Sequence, residues 1–106
     1  MNRSRYLTTA GTIVQEAPID AELALDGLCQ QACRGDEEAQ HVLAHELYGL
    51  LVLEAAAHVD GPEAEGIAEQ VLEMIAEGRI RARTRPRVTL AVILRIAGML
   101  ARDKAR

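Results

Sequence analysis

Cys29, Cys33, His41 and His45 stand in a spacing that could hold a metal, C-x3-C-x7-H-x3-H. Residues four apart share one face of a helix. A tight turn between two helices could then bring two thiolates and two imidazoles together as a tetrahedral zinc site. The overall spacing is not that of the familiar zinc fingers, whose cysteines stand on a turn. Each cysteine can equally be a small buried hydrophobe, with the histidines on the surface. No metal is expected, and this quartet is the weak candidate for one.

Two rows of charge raise a different chemistry. Glu65, Glu69, Glu73 and Glu77 recur at every fourth position, while Arg79, Arg81, Arg83, Arg85 and Arg87 recur at every second. On a helix the glutamates form one stripe, and like charges four residues apart cost ~0.2–0.5 kcal/mol per pair. The stripe is either a solvated face or a docking surface for a basic partner, another protein or the chain's own arginines. In an extended segment the arginines would share one side, with Ile80, Ala82, Thr84 and Val88 on the other. Arginine pairs bidentately with phosphate and supplies sequence-independent affinity for nucleic acid. Arg95, Arg102, Lys104 and Arg106 extend the basic third of the chain. Single-strand binders also stack bases on aromatic rings, and this region has none.

Catalysis has little to work with. There is no glycine-rich phosphate loop and no serine beyond Ser4. A cysteine nucleophile paired with His41 or His45 lacks a third group to orient it. No pocket is evident for a general acid and base, so the chain is expected not to be an enzyme.

The elements that must position these residues are helical. The 106 residues suit one domain with one core, and 49% are hydrophobic, yet Phe and Trp are absent and only Tyr6 and Tyr48 are aromatic. A core of Ala, Leu, Ile and Val favours close helix packing over a sheet. Residues 1–18 are weakly patterned and read as an N-terminal arm; residues 19–106 read as a single helical domain. A first helix is expected over 19–33, with Leu23, Leu25, Leu28, Ala32 and Cys33 as its apolar positions. Gly35 suits its end, and Asp36 suits the N-cap of the next helix. That second helix, 37–59, is apolar almost all round from Leu47 to Val59, which marks it as central and buried on most faces. A third helix, 62–77, presents Ala64, Ile67, Ala68, Val71, Leu72 and Ile75 on one face and its glutamates on another, and Gly78 ends it. Pro86 forbids a continuous helix through the arginines. A fourth helix opens at Val88 or Thr89 and runs to about 104, with Leu90, Ile93, Leu94, Ala97, Leu100 and Ala101 inward. The fold class is all-α, a four-helix orthogonal or bundle-like domain.

Net charge divides by segment: +2 over residues 1–15, −14 over 16–77 and +8 over 78–106. Such a chain can steer different partners to different faces or neutralise itself. No apolar stretch reaches the ~18–20 residues that span a bilayer, and no signal-peptide pattern opens the chain, so a cytoplasmic, soluble protein without membrane contact is expected. In that setting two cysteines do not argue for a disulfide.

Helices one to four, taken together over residues 25–106, resemble the second conserved region of bacterial sigma factors of the extracytoplasmic-function type. "ACRGDEEAQHVLAHELY" is similar to that family's opening, where a helix ends in R-x-GD-x-x-A before a long second helix. "DGPEAEGIAEQVLEMI" resembles its acidic third helix, although Glu69–Gln70 reverses the usual Q-E and the preceding turn is one residue shorter. "VTLAVILRIAGMLARDKAR" resembles its last helix, with Leu94, Ile96, Ala97, Asp103 and Arg106 matching. The resemblance implies transcription as the setting, with the third helix docking on the clamp helices of the RNA polymerase β′ subunit through Glu63, Glu65, Glu69, Gln70 and Glu73. It also implies that the arginine run, with Arg95 and Arg102, lies where that family meets DNA. Val92 or Ile93 stands where the family has Trp, Leu72 where it has Phe, and Met99 where it has the recognition Asn. The aromatic chemistry that holds DNA open is missing, and a second promoter-binding domain does not fit in 106 residues. The implied function is therefore a transcription module not competent for promoter melting alone. The alternative is a homodimeric helical interaction module with no nucleic-acid role, one chain's glutamates meeting the other's arginines, with or without structural zinc.

Overall fold

A computed structural model describes residues 17–106, with side chains from Ala21 onward. Most of the expected arm lies outside the described residues. Five helices follow: α1 (Ala17–Cys33), α2 (Glu37–Glu46), α3 (Tyr48–Ala56), α4 (Gly61–Ala76) and α5 (Val88–Ala105). There is no strand among the described residues, and the fold is all-α.

Local chemistry sets the helix boundaries. α1 and α4 both end in a glycine with positive φ, Gly35 at 101° and Gly78 at 75°. Each glycine closes the same pair of terminal bonds. Asp36 N–H donates to Gln31 O and Gly35 N–H to Ala32 O, both at 3.1 Å. Arg79 N–H donates to Met74 O at 2.9 Å, and Gly78 N–H to Ile75 O at 3.1 Å. These bonds satisfy last-turn carbonyls, and a β-carbon would strain the left-handed backbone that makes them. Asp36 caps α2 as its sequence position suggests, its Oδ1 accepting from Ala39 N–H at 3.0 Å. Gln40 reaches back across that turn and donates to Ala32 O at 2.9 Å, tying α2 to the end of α1.

The helix expected over 37–59 is bent at Leu47 and ends at Ala56. Leu47 keeps right-handed helical dihedrals. It donates to Leu43 O at 2.8 Å and accepts from Leu51 N–H at 3.0 Å, so the hydrogen-bond ladder passes through the bend. α3 and α4 form an antiparallel hairpin across the short 57–60 connection, and α5 closes over both.

The core lies where these helices meet. Leu43, Leu47, Leu51 and Ala55, four residues apart, form the inner edge of α2 and α3. Ile67, Val71 and Ile75 of α4, Ile93 and Ala97 of α5, and Cys29 and Ala32 of α1 pack on them. Burying a side chain of the Leu or Ile class contributes ~1.5–3 kcal/mol. Alanines at the contacts let helix axes approach closely where no aromatic ring is present to fill space.

Two expectations about burial are corrected. α3 is not buried on most faces: Leu53 is 70% exposed and Leu50 is also exposed. A domain of this size has too little mass to cover both sides of its central helix. On α1 the inward residues are Asp26, Cys29 and Ala32, while Leu23 is exposed and Leu25, Leu28 and Cys33 are half-buried. The stripe is turned by about one residue because a polar group, Asp26, has a partner inside.

Candidate functional site

The glutamate row folds onto α4 as the helical spacing predicts. Ala64, Ile67, Ala68, Val71 and Ile75 take the inner face. Glu63, Glu65, Glu69, Gln70, Glu73 and Glu77 are all exposed. α4 and α2 lie side by side with few contacts, and the space between them is a groove of about 500 Å³. Ala44, Leu72 and Ala76 give it an apolar floor, and Glu37, Glu69 and Glu73 stand on its rim with Gln40 and His41. Tyr48 follows at the start of α3. Its phenol is pushed above the usual range, first by desolvation and then by the carboxylates of Glu65 and Glu69. One wall therefore runs from Glu37 to Ala44 and the other from Ala76 back to Glu69. That is seven residues of rise, or about 10 Å at 1.5 Å per residue. Glu63, Glu65 and Gln70 do not line the groove.

No cation neutralises this acidic rim among the described residues. The described ion pairs are Arg79 with Glu77 at 3.4 Å and Arg87 with Glu22 at 3.5 Å, both exposed. Exposed pairs of this kind are worth ~0–1 kcal/mol. Apart from Arg79 with Glu77, no arginine of the run pairs with the glutamate row among the described residues.

The basic surface is a loop followed by one face of α5. The expected alternation holds at first: Arg79 and Arg81 point out, Ile80 is buried and Ala82 half-buried. It fails at Arg83, which is half-buried, and Thr84, which is exposed. No neighbouring strand enforces a pleat there, and a buried hydroxyl captures the backbone instead. Arg83 N–H donates to Thr89 Oγ1 at 2.8 Å. The same hydroxyl lies 3.3 Å from Arg83 O, as donor. The Arg83 guanidinium bends back onto the Arg81 carbonyl.

The loop closes in a tight turn over residues 85–88. Val88 N–H donates to Arg85 O at 3.3 Å. Pro86 occupies the second position and Arg87 the third, at φ 69°, ψ −8°. That is the type II pattern, whose third position favours glycine.

Arg87 precedes α5 without capping it through its side chain. The cap comes from another helix. Asp26 of α1, only 2% exposed, accepts from Leu90 N–H through Oδ1 at 2.9 Å. Its Oδ2 accepts from Gln30 Nε2 at 2.8 Å. A carboxylate at a helix N-terminus satisfies an otherwise unpaired donor and faces the positive end of the helix dipole. Asp26 thus anchors the whole basic segment to α1. Sequence reasoning missed it; its sole signal was an acid on the apolar side of α1. Along α5, Arg95 and Arg102 are exposed.

The cysteine–histidine quartet is not assembled. Cys29 is wholly buried and Cys33 half-buried on α1, while His41 and His45 are exposed on α2. Among the described residues no group of three or more His, Cys, Asp or Glu is placed to hold a metal ion. α1 turns its cysteines towards its own core contacts, so the helix pair does not present all four residues to one point. Burial pushes the Cys29 thiol up to about 12, with Cys33 and Asp26 adding to the shift. Burial also raises Cys33, an effect that the Arg83 guanidinium partly offsets. Both thiols therefore favour the protonated form, which binds zinc poorly.

No helix among the described residues is long and apolar enough to cross a membrane. No protein-family model matches the chain, and comparison with curated proteins and with solved structures finds no match.

Proposed function

We propose that the chain is a helical interaction module acting in transcription, whose acidic α2–α4 groove docks a basic helical element of RNA polymerase. The observation that carries this reading is the groove itself: about 10 Å long by helix rise, with an apolar floor and a rim of glutamates that no described cation neutralises. A helix carrying lysines or arginines beside an apolar stripe is the complement of that surface. Resemblance to sigma region two supplies the name of the partner, the β′ clamp helices. The stripe that the resemblance assigns to docking includes Glu65, Glu69 and Glu73. On the opposite charge system, Arg81, Arg83 and Arg85 of the loop, with Arg95 and Arg102, would add contacts to DNA phosphates. They would read no bases and hold no strand open, because no aromatic side chain stands among them.

The test is capture of RNA polymerase by the purified chain from a bacterial lysate. The wild type is expected to retain polymerase, and Glu65→Lys with Glu69→Lys is expected to lose it while the far-ultraviolet circular dichroism stays helical. Capture by the doubly reversed chain would remove the docking role, as would a wild type that never binds.

A further inference from the structure

The outer face of α5 carries the counterpart of the groove. Arg95, Met99 and Arg102 recur at spacings of four and three, so they share one stripe of the helix. That stripe is opposite Ile93, Ala97 and Ala101, which are buried, and Met99 is 48% exposed at its centre. Neither Arg95 nor Arg102 has an acid within ion-pair distance among the described residues. The loop arginines are less available: Arg79 and Arg87 already pair with Glu77 and Glu22, and Arg83 is folded onto the Arg81 carbonyl.

We infer that the groove of one molecule takes the α5 face of a second copy of this chain. The match has three parts. The charges are opposite, with Glu69 and Glu73 on the groove and Arg95 and Arg102 on α5. Each set flanks an apolar centre, Leu72 in the groove and Met99 on the helix, and methionine adapts to irregular apolar surfaces. The spans also agree, because the groove lining from Glu69 to Ala76 and the α5 stripe from Arg95 to Arg102 each cover about 10 Å along their helices. The contact is heterologous, since different surfaces of the two copies meet. It is small and charge-led, so it weakens as salt screens it. This inference rests on the docking reading of the groove and adds its regulation: a second copy and the polymerase element compete for one surface.

Light scattering behind size exclusion tests it. At 20 mM salt the mass of the wild type is expected to rise with concentration above the 11.5 kDa of one chain. At 500 mM it is expected to return to that value. Arg95→Glu with Arg102→Glu, and separately Glu69→Lys with Glu73→Lys, are each expected to stay monomeric at low salt with helicity intact. Mixed together, they are expected to associate, because one intact groove then meets one intact α5 and the two reversed surfaces are also opposite in charge. A wild type that stays monomeric at low salt overturns the inference, as does association that persists in either variant or a mixture that does not combine. Any of these failures leaves polymerase capture by the wild type as a separate result. Loss of capture with self-association retained would sink the polymerase reading alone.

Discussion

At the scale of single residues, burial decides what the reactive groups can do. The unfolded chain releases a cysteine proton near 9.0, whereas folded Cys29 holds it to about 12. Between those values the folded state binds more protons, so the contribution of Cys29 is fully present below about pH 9 and is lost as pH rises towards 12. Unfolding midpoints are therefore expected to fall over that interval, and Cys29→Ala is expected to flatten the fall. Cys33 and Tyr48, also raised, keep part of it. The same burial predicts that an aromatic disulfide reagent titrates Cys33 in the native chain and Cys29 only after denaturation. Rapid reaction of both native thiols would contradict the buried position of Cys29. The histidines and cysteines were legible as residue types. Their failure to meet was not, because helix rotation about its own axis fixes which side chains converge.

At the scale of elements, the start of α5 is a compromise between two substitutions that the fold has not made. Arg87 occupies the left-handed position of a type II turn, where a non-glycine residue costs ~1–2 kcal/mol. Asp26 offsets the missing local cap from across the core. Arg87→Gly is expected to raise stability by up to ~1 kcal/mol, because its lost partner, Glu22, is an exposed one. Asp26→Ala is expected to lower it by ~1–3 kcal/mol, since Leu90 N–H loses its acceptor. Urea midpoints for the two variants should thus move in opposite directions.

α4 holds a second local misfit. Gly66 lies inside the helix, exposed beside the glutamate row, and a β-carbon there would meet nothing within 4 Å. Glycine in a helix interior costs ~0.5–1 kcal/mol relative to alanine, and nothing among the described residues requires it. If a partner's backbone approaches α4 there, Gly66→Ala raises the melting temperature and weakens capture together. Higher stability with undiminished capture would place the partner elsewhere on the groove. Gly35, Gly78 and Asp36 were readable from sequence because caps are local. Asp26 was not, because its partner is sixty-four residues away.

At the scale of the whole molecule, the charge asymmetry of the sequence becomes a spatial one. The described acids and bases do not cancel across the fold; the described pairs involve only Arg79 and Arg87. Among the described residues the acidic groove and the basic α5 face do not neutralise one another, which is what the proposed docking and self-association both require. Ionic strength is the variable that separates this state from a hydrophobic assembly, which salt would not loosen. Leu50 and Leu53 on α3 are exposed apolar side chains that neither charge system uses.

The sequence by itself determined the all-α class, the approximate helix boundaries, the inner faces of α4 and α5 and the acidic stripe. Each follows from a period of 3.6 residues or from a cap within four residues of the helix end. Only the tertiary structure decided that α2 and α4 leave a groove, that the arginine run is pinned by Thr89 and Asp26 and, Arg79 apart, unpaired with the glutamate row, and that the cysteines and histidines stay apart. Those outcomes depend on the rotation and spacing of helices against one another. Long-range packing sets both, and no local pattern encodes them.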